Sequence, residues 1–149
     1  MRSLMISSAA LAAAWLVSAC GGGGSDAGGP MSGVAKASYT VTLRSGQATV
    51  IAPESLSLQL TAVTDTRCPI DVMCVWAGQA VATVQVTQAG QPAETVQIGT
   101  PAPAEMKLPG DASYRGYRLS LQGLEPAPRS GVQVPLDQYR ATVQVDRAQ

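Results

Sequence analysis

Cys68 and Cys74 have five residues between them in the segment Asp65-Thr66-Arg67-Cys68-Pro69-Ile70-Asp71-Val72-Met73-Cys74-Val75-Trp76-Ala77-Gly78, the one stretch of the chain whose residue types could do chemistry at close range. Disulfide exchange normally uses Cys-x-x-Cys at a helix N-terminus, where the dipole lowers a thiol pKa, and a five-residue gap between strands supplies neither. Copper(I) could recruit Cys68, Met73 and Cys74 as soft ligands, but no methionine cluster accompanies them. Zinc would need a second cysteine pair or histidines, and the chain has no histidine. That absence also removes Ser-His-Asp triads and Cys-His pairs. Calcium would need clustered carboxylates, and the ten acids are scattered singly. Asp65 and Asp71 are the acids nearest the segment, and two carboxylates can run glycoside hydrolysis when held at the right separation. A small β domain offers little cleft to hold a sugar, which makes a carboxylate enzyme the weakest of the alternatives. No catalytic residue, metal site or cofactor is therefore expected.

The third cysteine belongs to a different signal. Leu16-Val17-Ser18-Ala19-Cys20 closes an apolar stretch from Met5 to Val17, preceded by Arg2 and followed by four glycines. The stretch is too short to span a bilayer, and with its basic start and small residues before Cys20 it resembles a bacterial lipoprotein signal. The resemblance implies removal of residues 1–19, lipidation of Cys20 and a membrane partner reached through lipid instead of a helix. Gly21, where an Asp would resemble an inner-membrane retention signal, points to the outer membrane and its periplasmic side. Residues 20–33 then form a glycine-rich tether with a reach of roughly 20 Å. In that oxidising compartment Cys68 and Cys74 are the only thiols left, and an even pair reads as a disulfide.

The pattern D-x-R-C-P-x4-C-x-W-A-G, met by Asp65, Arg67, Cys68, Pro69, Cys74, Trp76, Ala77 and Gly78, resembles one carried by a group of small, uncharacterised bacterial lipoproteins and secreted β-domains. The resemblance implies a β-sandwich ending in a Tyr-x-Ala-Thr-x-x-Val strand, as at Tyr139 to Val145, and implies no activity. The residues themselves say more. Asp65 and Arg67 fall on the same side of an extended segment and can pair across the loop base. Pro69 stiffens the loop, and Gly78 suits a backbone position that a side chain would crowd. Two uses remain open. A stapled corner closing the sandwich would bury Trp76 over the disulfide, whereas a recognition loop over residues 67–74 would expose Ile70, Val72 or Met73 to an envelope protein or ligand.

The elements that must position this segment are strands. Charged residues are 13% of the chain against about 25% in typical domains, and the formal net charge is zero. A nucleic-acid partner is excluded on that ground, because phosphate binding needs a clustered basic excess. Apolar residues alternate at period 2 in Tyr39/Val41/Leu43, Leu56/Leu58/Leu60/Ala62, Ala82/Val84/Val86, Tyr117/Leu119/Leu121 and Tyr139/Ala141/Val143/Val145. Shorter runs fit at Thr49–Ala52, Thr95–Ile98 and Glu105–Leu108. Ser45-Gly46, Ala52-Pro53, Ala89-Gly90, Pro109-Gly110-Asp111 and Pro126-Ala127-Pro128 separate them with turn chemistry. Seven or eight such strands predict a single all-β, Ig-like antiparallel sandwich over residues 34–149. With no phenylalanine in the chain, its core must come from Val, Leu, Ile and Ala, helped by Trp76 and the tyrosines. Arg115, Arg118 and Arg140 are expected to face water. Tyr114 and Tyr117 are an odd number of positions apart, so at least one is expected to face outward, where it could be a contact residue.

Overall fold

The computed structural model describes residues 36–102 and 106–148; the expected signal segment 1–19, the expected lipidation site Cys20 and the expected tether 20–33 lie outside them. Eight strands form two four-stranded antiparallel sheets. They are β1 (Ser38–Arg44), β2 (Ala48–Ile51), β3 (Leu56–Asp65), β4 (Ala80–Gln88), β5 (Glu94–Gly99), β6 (Ala112–Tyr114), β7 (Tyr117–Glu125) and β8 (Arg140–Arg147). One sheet has the order β1-β8-β7-β6 and the other β2-β3-β4-β5. The result is an antiparallel sandwich that shares with immunoglobulin domains the two-layer architecture and not the strand order. Leu43, Leu119, Val143 and Val145 from one sheet and Leu56, Leu58, Val84, Val86 and Ile98 from the other meet in one apolar core. Their polar neighbours along each strand face outward, as expected of sheets with one wet side.

Two β-bulges change the parity of the faces. In β3 the pairing with β4 slips between Leu60 and Ala62, so Ala62 is exposed, contrary to the alternation that places it with Leu60. The extra residue rotates the end of the strand and turns the Asp65 carboxylate inward. A matching slip between Leu121 and Gly123 in β7 buries Leu124. Tyr114 and Tyr117 are also not divided between faces. They flank a two-residue turn in which Arg115 and Gly116 both have positive φ, are paired directly, and are both buried. A parity count does not carry across such a hairpin. The expected strand at Glu105–Leu108 is absent from the described residues 106–108. Lys107 has φ 49° there, a left-handed conformation no strand accommodates. Tyr114, Tyr117 and Tyr139 enter the core and Tyr39 packs against it, but Trp76 does not.

The sandwich has two poles. A parallel bridge between Ser45 and Leu60 shows that β1 and β3 run in the same direction, so Ser38, where the chain enters β1, lies at the pole opposite Asp65. At the entry pole Glu54 accepts hydrogen bonds from Tyr39 Oη (3.1 Å) and Tyr117 Oη (2.6 Å) and pairs with Arg147 (3.2 Å). The Tyr117 bond is the main cause that holds the Glu54 carboxyl below its ordinary value; burial opposes it, while Tyr39 and Arg147 add to it. A depressed carboxyl stabilises the fold above the ordinary carboxyl range and loses that contribution as pH falls through its folded value. Stability should therefore fall more steeply below about pH 4 in the native protein than in Glu54→Gln. Denaturant midpoints at neutral and acidic pH test this, and equal slopes would reject the latch. The same bond to Glu54, with burial, raises the Tyr117 phenol, whereas burial comes first in raising Tyr39. Their contribution is present below the ordinary phenol value and is lost as pH rises through the folded values.

Candidate functional site

At the far pole the β3–β4 hairpin continues beyond the sandwich as a narrow stem. Thr66 N–H donates to Gln79 O (2.8 Å) and Cys68 N–H to Ala77 O (2.8 Å). Gly78 makes this possible. Its φ is +66°, and a Cβ there would sit 1.8 Å from the Thr66 carbonyl oxygen, so the crowding expected from sequence is real. Gln79, buried at the base, donates through Nε2 to Thr100 O and Pro109 O, both at 2.7 Å, tying the stem to the segment after β5. Past the stem, Cys68 and Cys74 are bonded to each other.

Arg67 fixes the stem to the other sheet. Its Nε and Nη2 donate to the two carboxylate oxygens of Asp65 at 2.8 and 2.7 Å, while Nη1 reaches Leu124 O (2.7 Å) and Nη2 also reaches Pro126 O (2.9 Å). The two-pronged carboxylate contact is the geometry for which a planar guanidinium is built. The Asp65 side chain is 5% exposed and that of Arg67 22%. The hydrogen bond to Asp65 raises the Arg67 pKa against the opposing effect of burial. Tyr139 Oη lies 3.4 Å from Asp65 Oδ2; burial first, then the Asp65 charge, raises its phenol, with Arg67 opposing. The expected Asp65–Arg67 pair is present, and its function is to clamp. Asp71 is occupied as well, accepting from Ser130 N–H at 2.8 Å, next to an Ile70 N–H bond to Pro128 O at 3.0 Å. With both acids engaged in bracing the loop, they do not form a free carboxylate pair. Among the described residues no group of three or more His, Cys, Asp or Glu side chains is placed to hold a metal ion.

No family model, curated protein or solved structure matches this chain. The functional reading therefore rests on what the stapled loop presents. Met73 and Val75 are wholly exposed, Ile70 and Trp76 are 60% and 65% exposed, and Val72 is about half exposed. Trp76 as an aromatic lid is thus corrected. The stem carries residues 68–77 past the last layer of core, so no opposing sheet is there to receive the ring. Sequence reasoning missed Thr66, Gln79 and Tyr139, together with the Leu124 and Pro126 carbonyls. A backbone carbonyl 57 or 59 residues downstream of Arg67 has no residue-type signature. The Gln immediately after Ala77-Gly78 was the one available cue.

Proposed function

We propose that this chain is a lipid-anchored bacterial envelope protein whose β-sandwich is a non-catalytic binding module, presenting loop 67–74 and the adjoining Val75 and Trp76 to a protein partner. One observation carries the reading: five large apolar side chains stand in water on a loop whose backbone is held by a disulfide, by the Arg67 fork and by two bonds to residues 128–130. Such exposure costs solvation free energy in the isolated protein and is characteristic of contact surfaces. A loop ordered in advance binds with little further entropy loss. The partner's complementary feature is a concave apolar cleft.

The test places a photo-crosslinking amino acid at Met73, or at Thr142 on the outer face of β8, in the full chain expressed in its host. A discrete protein adduct should form from position 73 alone and disappear in Trp76→Ala and in Cys68→Ser/Cys74→Ser. Trp76→Ala itself should unfold within about 1 kcal/mol of the native protein, as for an exposed site. Adducts with lipid alone, or equal protein adducts from both positions, would reject the reading. Cys20→Ser should abolish lipid attachment, and a lipid-free native N-terminus would reject the anchor.

A further inference from the structure

Beside the loop base lies a groove of about 720 Å³ lined by Arg44, Leu124, Glu125, Pro126, Asp137 and Arg140, among others. Its volume is in the range of small-ligand sites. Arg44 and Arg140 are direct cross-strand partners of β1 and β8, both exposed on the outer face, with Cβ atoms about 5 Å apart by the geometry of such pairs. Like charges placed so are destabilising. The ion pairs among the described residues engage Arg67, Arg115, Arg118 and Arg147, and neither of these two. Glu125 is the partner of Arg140 on its other side, yet no ion pair joins them. Arg44 and Arg140 thus stand as adjacent cations at the rim of a groove, ion-paired with neither of the two carboxylates, Glu125 and Asp137, that share it. The Arg67 fork grips the carbonyls of Leu124 and Pro126 from behind and fixes that wall.

We propose that this groove binds the carboxylate of a peptide, with Arg44 and Arg140 donating to its oxygens and the Pro126 side giving an apolar wall for the neighbouring side chain. A carboxylate between the two arginines turns their repulsion into attraction, and the planar forks match its geometry. Glu125 and Asp137 lie in the same groove and oppose a more highly charged anion, which favours a carboxylate over phosphate. The site is independent of the apolar loop and does not rest on the loop's partner.

The arginine Nε–H resonances of the purified full chain in detergent provide the test. N-acetyl-dialanine offers a C-terminal carboxylate, and an acetylated, amidated tripeptide with a central glutamate offers a side-chain one. Either or both should shift Arg44 and Arg140 saturably, with a dissociation constant on the order of 1 mM, and the stronger binder identifies the source. The amide of N-acetyl-dialanine should not bind. Arg44→Gln and Arg140→Gln should each weaken binding about tenfold, which corresponds to about 1.4 kcal/mol, whereas Arg118→Gln and Met73→Ala should leave it unchanged. Equal binding of acid and amide, tighter binding of inorganic phosphate than of either carboxylate, no saturable shift, or full binding in both groove variants would overturn the proposal. Because the loop reading is tested at Trp76 and the disulfide, which the groove does not contain, failure here is separable from failure of the loop reading.

Discussion

Arg67→Ala should destabilise the protein by about 3 kcal/mol, the lower end of the range for breaking a buried ion pair from one side. The cost does not come from the lost attraction alone. The variant leaves the Asp65 carboxylate, 5% exposed, without its counter-ion in a place water hardly reaches. It also takes the donors from the carbonyls of Leu124 and Pro126. The lower end applies because Arg67 itself retains 22% exposure, which lets some water replace it. Two companion variants separate the causes. Asp65→Asn added to Arg67→Ala should recover part of the loss, since a neutral amide needs no counter-charge. Arg67→Lys should recover little, because a point charge cannot fork to a carboxylate and two carbonyls together. Denaturant midpoints of the three variants decide the matter. A single Arg67→Ala variant within 1 kcal/mol of the native protein would show that the clamp is decorative.

That clamp marks the boundary between what the sequence discloses and what it does not. Asp65 and Arg67 are two residues apart, so the side they share on an extended segment is a local property and readable. Arg67's other partners are backbone oxygens brought near by the β7 bulge, which no residue type announces. The same distinction runs through the fold. The alternation of Leu56, Leu58 and Leu60 identifies a buried face because each residue's orientation depends on its neighbour. It fails one residue later, where the bulge at Thr61 inserts an extra position and sends Ala62 outward. Tyr114 and Tyr117 fail for the corresponding reason at a turn, where the chain reverses and parity restarts. Trp76 is a failure of another kind. Its type suggests burial, but burial requires an opposing layer, and how far the stem projects past the core is set by the lengths of β3 and β4 together with the Gly78 conformation. The disulfide was readable because its two cysteines stand close together in the sequence, so pairing them needed no tertiary information.

Gly78→Ala should cost about 3 kcal/mol or more, and a paired control shows why. Any residue other than glycine at φ +66° meets a left-handed penalty of roughly 1–2 kcal/mol. Gly46 has φ +73° but nothing within 4 Å of where its Cβ would be, so Gly46→Ala measures that penalty alone. At Gly78 the new carbon would overlap the Thr66 carbonyl oxygen at 1.8 Å, and backbone cannot swing aside as a side-chain tip can. Relief requires opening the stem at its first rung, where Thr66 and Gln79 exchange three bonds. Moving Gln79 in turn pulls its amide from the carbonyls of Thr100 and Pro109. Gly78→Ala should therefore exceed Gly46→Ala by about 2 kcal/mol, the size of one or two lost hydrogen bonds plus residual strain. It should also displace the stapled loop relative to the Arg67 clamp, weakening partner crosslinking from position 73 even at temperatures where the sandwich stays folded. Equal costs for the two glycines in urea titrations would mean that the stem yields freely, and that the loop it carries is not held in the fixed shape on which binding with little ordering cost depends.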